Sequence, residues 1–215
     1  MATGKFITFE GPEGSGKSTH IKQLSIFLAK QEINVVTTRE PGGTILGEKI
    51  RNLIQHSSEG EAPVNRAELL LFLASRAQHV QEFIQPALAA GSWVLCDRFY
   101  DSTMAYQGYG RGFDLKELKT LNDFAVNALK PDLTLLIDVS PGTSRSRLAS
   151  RHQGGNTTPD RIEREQDDFH NRLRDGFLML ADAEQDRFHV VNAEQEQSIV
   201  EDDIQSFVIH RFLTP

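Results

Sequence analysis

Apolar positions along the chain follow two rhythms that alternate from the first residues to the last. Short β-branched and aromatic runs occur at 5–9 (KFITF), Val35 to Thr38, Trp93 to Asp97, Leu133 to Val139 and Phe188 to Asn192. Such runs, bounded by turn residues, read as buried strands. Between them the apolar residues recur every three or four positions. Ile21, Leu24, Phe27 and Leu28 predict a helix from Ser18 to about Lys30. Leu46, Ile50, Leu53 and Ile54 predict a second, after Pro41-Gly42-Gly43, and the stretch from Asn65 to Leu88 predicts a long third, kinked near Pro86. Further helical patterns lie near 114–128, 160–182 and 195–210, the 160–182 helix starting at a cap formed by Asp160 and Glu163.

Strands alternating with helices predict an α/β fold: a five-stranded parallel sheet with helices on both faces, its ligands beyond the carboxyl ends of the strands. The 215 residues suffice for one core, so residues 1–215 are expected to form a single domain. Arg151 to Pro159, RHQGGNTTP, is polar and rich in turn residues and reads as a mobile flap, within a lid of approximately 145–161.

Composition narrows the function. Hydrophobic residues at 39% and charged residues at 25% suit a soluble globular chain, and no apolar run approaches the roughly 20 residues that span a bilayer. The first strand begins within five residues, which leaves no room for a secretory signal, so a cytoplasmic location is expected. A net charge of −7 argues against a nucleic-acid partner, yet leaves room for arginines converging on one phosphorylated ligand. Cys96 is the one cysteine and can make neither an internal disulfide nor a metal site alone. No histidine has metal-ligand spacing.

The candidate chemistry starts at Gly11-Pro12-Glu13-Gly14-Ser15-Gly16-Lys17-Ser18, which fits the phosphate-loop pattern G-x-x-x-x-G-K-[ST] and sits between a predicted strand and a predicted helix. The glycines let backbone N–H groups turn towards phosphates, Lys17 supplies a point charge, and the Ser18 hydroxyl suits Mg²⁺. With Thr19, these residues form the expected ATP site. A phosphate loop alone does not say what the nucleotide is used for.

Four further stretches do: Thr38-Arg-Glu-Pro-Gly-Gly-Thr44, Leu71-Phe-Leu-Ala-Ser-Arg76, Asp97-Arg-Phe-Tyr-Asp-Ser-Thr-Met-Ala-Tyr-Gln107, and Asp160-Arg-Ile-Glu163. Together with the loop they resemble bacterial-type thymidylate kinases, of the nucleoside monophosphate kinase group, from Lys5 to the last helix. The resemblance implies a three-layer P-loop kinase fold, transfer of the ATP γ-phosphoryl group to dTMP with Mg²⁺, and a homodimer. It implies that Arg39 and Arg98 hold the dTMP phosphate, that Ser102 lies in the substrate site, and that Glu13 meets the sugar 3′-hydroxyl. Phe72 would stack on thymine, Arg76 would reach its O4, Thr103 and Gln107 would meet the remaining base edge, and Tyr106 would crowd the 2′ position. Asp97 would orient Arg98 or a Mg²⁺-bound water. Arg147 and Arg151, one helical turn apart, would close over the ATP phosphates, with Arg145 a solvated neighbour. Gly14 stands where some relatives carry a catalytic arginine, and Ala149 where many carry a further one.

Two other readings fit the loop. A kinase acting on a nucleoside hydroxyl would need a carboxylate base, for which Glu10 or Asp97 is available. A nucleotide-dependent switch would hydrolyse its nucleotide instead, although the chain lacks the N-K-x-D guanine motif. Glu10 otherwise has no assigned role.

Overall fold

A computed structural model describes residues 4–55, 62–153 and 165–214. Strands β1 (Phe6–Glu10), β2 (Val35–Arg39), β3 (Trp93–Asp97), β4 (Leu133–Asp138) and β5 (Phe188–Asn192) form one parallel sheet in the order β2-β3-β1-β4-β5. Each lies within one residue of its expected position. The alternation along the strands sorts side chains between the two faces. Ile7, Phe9, Leu95, Leu135 and Ile137 pack under α1 (Lys17–Lys30) and α9 (Gln197–Phe212), while Phe6, Val94 and Cys96 meet Val80, Ile84 and Phe99 on the other face.

The long third helix is α3 (Asn65–His79), a π-helical turn at Val80–Ile84, and α4 (Gln85–Ala89). The expected kink near Pro86 takes this form for a clear reason: proline has no N–H to donate, and the Gln85 amide already reaches back five residues to the Val80 carbonyl. After α2 (Ile45–Gln55) and β3, the sequence pattern gave no helix for the Asp97–Gln107 motif. The chain there forms α5 (Tyr100–Thr103) and a second π-helical turn, Met104–Gly110, whose residues, MAYQGYG, carry no regular apolar period. Next comes α6 (Leu115–Val126), started by the Asp114 carboxylate, which accepts from the Lys116 and Glu117 amides.

Helix α7 (Pro141–Gln153) includes Arg151 and His152, so the first residues of the expected flap are helical; the rest of the lid range, 154–161, lies outside the described residues. So does the expected Asp160/Glu163 cap, and α8 (Asp167–Ala183) starts at Asp167. Among the described residues no helix is long and apolar enough to cross a membrane.

Candidate active site

The sheet order brings the ends of β1, β2 and β3 to one rim, where Glu10, Arg39 and Asp97 arrive from distant parts of the chain. The phosphate loop leaves β1 at Gly11, whose φ of 130° and closeness to β4 admit no side chain: a Cβ there would sit 2.4 Å from the Ile137 carbonyl oxygen. It ends at Gly16 in a left-handed conformation, and no side chain caps the start of α1. The first amides of that helix thus face the loop as an anion site.

Lys17 lies across the loop, its ammonium donating to the carbonyls of Gly11 (3.0 Å) and Pro12 (2.8 Å) and to Ser15 Oγ (3.4 Å). Burial, reinforced by nearby Arg98, lowers its pKa to about 8. An incoming phosphate would compete with those carbonyls for the ammonium and favour its charged form. Ser18 Oγ donates to Asp97 Oδ2 at 2.8 Å. A hydroxyl and a carboxylate at the loop are hard oxygen donors of the kind Mg²⁺ takes, with phosphate oxygens and water completing its shell. Among the described residues no three His, Cys, Asp or Glu converge to form a full protein cage.

Beyond the loop opens a cavity of about 590 Å³. Arg98 crosses its floor: Nη1 donates to the Gly11 carbonyl and Ser102 Oγ, both at 3.0 Å, and Nη2 to Glu13 Oε1 at 2.7 Å. Its guanidinium also lies 5.0 Å from the centre of the Tyr106 ring. Burial opposes the charge on Arg98, but Tyr106, Glu13 and Asp97 outweigh it and raise its pKa. Glu13 accepts from the Tyr106 hydroxyl as well, at 2.6 Å. Burial would raise the Glu13 pKa; Arg98, Lys17 and that hydroxyl bring it below the usual carboxylate value.

The far wall carries Phe72, Arg76, Thr103 and Gln107. Arg76 is fully buried and held on three sides, donating through Nε to Glu40, through Nη1 to Thr103 Oγ1 and Asn122 Oδ1, and through Nη2 to the Phe99 carbonyl. These bonds use four of the five N–H groups of a guanidinium and leave one Nη2 hydrogen for a ligand. The Gln107 amide nitrogen donates to buried Glu68 at 3.3 Å. Arg39 lines the cavity while paired with Glu48 at 2.9 Å.

On the near side, α7 docks against the loop through Ser144 Oγ, which donates to the Glu13 carbonyl at 2.7 Å. Arg147 donates to the Ser15 carbonyl (3.4 Å) and the Ala193 carbonyl (2.8 Å), and Arg151, one turn on, also lines the cavity. Arg145 pairs with Asp167 at the surface. A second cavity of about 280 Å³ shares Gly14, Gly16, Thr19 and Arg147 with the first and extends towards Gln195 and Gln197.

A phosphate loop beside a cavity lined by several arginines has counterparts among known proteins. The family model for thymidylate kinase matches residues 9–204. The chain belongs to the thymidylate kinase family. It is 49% identical over 205 residues to the thymidylate kinase of Carboxydothermus hydrogenoformans, covering 95% of this chain and 97% of that one. It is 50% identical over 192 residues to that of Desulfovibrio desulfuricans, covering 88% of each. The crystal structure of thymidylate kinase from Ehrlichia chaffeensis superposes with a TM-score of 0.76 at 35% identity, covering 96% of this chain and 99% of that one.

Within this family frame, the residues singled out from the sequence gather around one space. Those expected to bind ATP, Mg²⁺ or dTMP all line the larger cavity except Gly11, Pro12 and Ser15, which instead hold Lys17. Sequence reasoning missed three others. Arg51 lines the cavity, donating to the Pro41 carbonyl at 3.0 Å; its signal was a charge in the buried stripe of α2 between Gly47 and Ile54. Glu40 holds both Arg76 and His79, and Asn122 reaches Arg76 from α6. Asn122 had no local signal, and Glu40, although inside the Thr38–Thr44 motif, was given no role there. Glu10, considered as a base, is fully buried and absent from the cavity wall.

Proposed function

We propose that the protein transfers the γ-phosphoryl group of ATP to the 5′-phosphate of dTMP, giving ADP and dTDP. The observation carrying this reading is the single cavity that runs from the phosphate loop to the Phe72–Arg76 wall, with Arg98 between them. A monophosphate oxygen forms the new P–O bond as the bond to the ADP oxygen breaks. Because the second pKa of a phosphate monoester is about 6, the acceptor is already anionic at neutral pH and needs no base. The task is to bring two anions together, and fixed cations do it.

In this reading Arg98, Arg39 and Arg51 hold the acceptor phosphate, while Lys17, Arg147 and Arg151 neutralise the donor. Phe72 stacks on thymine, and the remaining Arg76 donor meets O4, with Thr103 and Gln107 at the other edge. An all-donor arginine matches a carbonyl and repels the amino group that cytosine carries there. Glu13 takes the 3′-hydroxyl and Tyr106 excludes a ribose 2′-hydroxyl. The smaller cavity accommodates the donor's sugar and base. Mg²⁺ held by Ser18 and Asp97 supplies charge neutralisation along the triphosphate. Residues 145–161 act as a lid on one nucleotide-kinase domain spanning 1–215.

A base for a nucleoside hydroxyl finds no support here, since Glu10 is closed off by Phe99 and Ser102 and Asp97 is engaged by Ser18. Exposed Ile45, Leu53, Val64, Leu70 and Phe124 on the α2, α3 and α6 side support a homodimer through that face. The enzyme would work in the cytoplasm. A coupled assay over nucleoside monophosphates and thymidine tests the reading: dTMP should turn over fastest. Phosphorylation of thymidine without dTMP turnover, or ATP hydrolysis indifferent to dTMP, would overturn it.

A further inference from the structure

Arg98 is a residue that its own backbone does not hold in place. Its φ of 70° lies in the left-handed region, which a side chain with a Cβ occupies only when its surroundings impose it. On the N-terminal side the imposition comes from the sheet, where the Arg98 amide donates to the Phe9 carbonyl at 2.9 Å. On the C-terminal side it comes from Glu10. Glu10 Oε1 accepts from the Phe99 amide at 2.7 Å and from the Ser102 amide at 3.3 Å. The Ser102 amide is shared with the Phe99 carbonyl at 3.2 Å, whereas Glu10 is what receives the Phe99 amide at the start of α5, whose N-cap, Phe99, has no polar side chain of its own. Glu10 Oε2 meets Ser102 Oγ at 2.5 Å, and the same Ser102 oxygen accepts from Arg98 Nη1 at 3.0 Å.

We propose that Glu10 is a positioning residue that fixes Arg98 twice, its backbone through the Phe99 amide and its guanidinium through the Ser102 hydroxyl. The inference rests on the reading of Arg98 as the acceptor-phosphate clamp. Glu10 touches no ligand itself; it lies one hydroxyl away from the cation that does. Its charge environment supports a fixed role. Burial and Asp101, itself paired through both oxygens with Arg187 at 2.8 Å, oppose the charged form of Glu10, while the guanidinium of Arg98 favours it. Whether Glu10 carries a proton or not, Ser102 Oγ keeps a lone pair for Arg98, because that oxygen can accept from both neighbours.

A capping role alone would affect the whole pocket, whereas control of Arg98 affects the phosphate. The two separate when dTMP and thymidine are compared by calorimetric titration of the full chain, since thymidine has every recognition group except the phosphate. Glu10→Ala is expected to weaken dTMP binding about tenfold or more, as loss of a charge-assisted contact does, with thymidine affinity and the KM for ATP within about twofold of wild type. Glu10→Gln keeps an acceptor for Phe99 and a bond to Ser102, so it should regain most of the dTMP affinity. Where Glu10→Ala does not fold, Glu10→Asp takes its place, because it retains an acid but falls one methylene short of Ser102. Equal losses for dTMP and thymidine, no loss, or a Gln variant as weak as Ala would overturn the proposal while leaving wild-type dTMP turnover intact. A wild-type chain that neither binds nor phosphorylates dTMP would instead overturn the reading on which it rests.

Discussion

Arg98 combines strain and charge in one residue, and the two can be separated by substitution. Arg98→Ala and Arg98→Gly both remove the guanidinium, so kcat should fall by about a thousandfold or more in each. Glycine, however, enters the left-handed region freely, and Arg98→Gly should be more stable than Arg98→Ala by about 1 kcal/mol. Denaturant unfolding of the pair checks this; an alanine variant as stable as the glycine one would show that the backbone carries no strain. Arg76 illustrates a different residue-scale dependence. Replacing it with Met would leave buried Glu40 with His79 alone, at a cost of about 3 kcal/mol, measurable by the same unfolding experiment.

Glu10 also gives a pH signature. Burial, with Asp101 adding to it, pushes its pKa from 4.5 up to about 8. The folded state therefore holds a proton that the unfolded chain releases between those values. Stability from this group is fully present below pH 4.5 and is lost as pH rises through about 8. The difference in melting temperature between wild type and Glu10→Gln, which has no proton to lose, should shift in favour of the Gln variant across that window. A difference that stays flat with pH would refute the shift.

At the scale of elements, the second π-helical turn carries Tyr106 and Gln107 and is held mainly by α8. Gly176 of α8 faces Tyr109 of that turn so closely that a Cβ would come within 2.5 Å of its ring. Gly176→Ala should force the turn away, with a stability loss of about 1–3 kcal/mol and a raised KM for dTMP; calorimetry and kinetics together check it. An unchanged KM would mean the turn does not set the pocket's width. The long α3 segment was read correctly as helical because its apolar period survives a π-turn. The Asp97–Gln107 segment was not, because its side chains serve the cavity and the charge network rather than one apolar face.

For the whole molecule, the parallel order β2-β3-β1-β4-β5 is what makes a site out of scattered motifs. It aligns three strand ends so that Arg39, Glu10 and Asp97 share a rim, and it leaves α2, α3 and α6 together with an uncovered apolar surface. Phe124 is 87% exposed there. If that surface joins two copies, Phe124→Glu should shift the sedimenting species from dimer to monomer, and no shift would remove the face from consideration. The same order explains what local pattern missed: Glu40 and Asn122 converge on Arg76 from β2's end and from α6, a meeting no spacing in the chain announces.

The sequence by itself determined the strands, most helices and the phosphate loop, because period and turn chemistry are local properties of the chain, and its resemblance to a known family pointed to most of the residues around the cavity. Tertiary structure alone decided how those residues are held: Lys17 folded onto loop carbonyls, four of the five Arg76 donors already occupied, Arg98 strained and braced by Glu10. Hydrogen bonding and burial are set by neighbours in space, and those neighbours lie up to 132 positions apart along the chain.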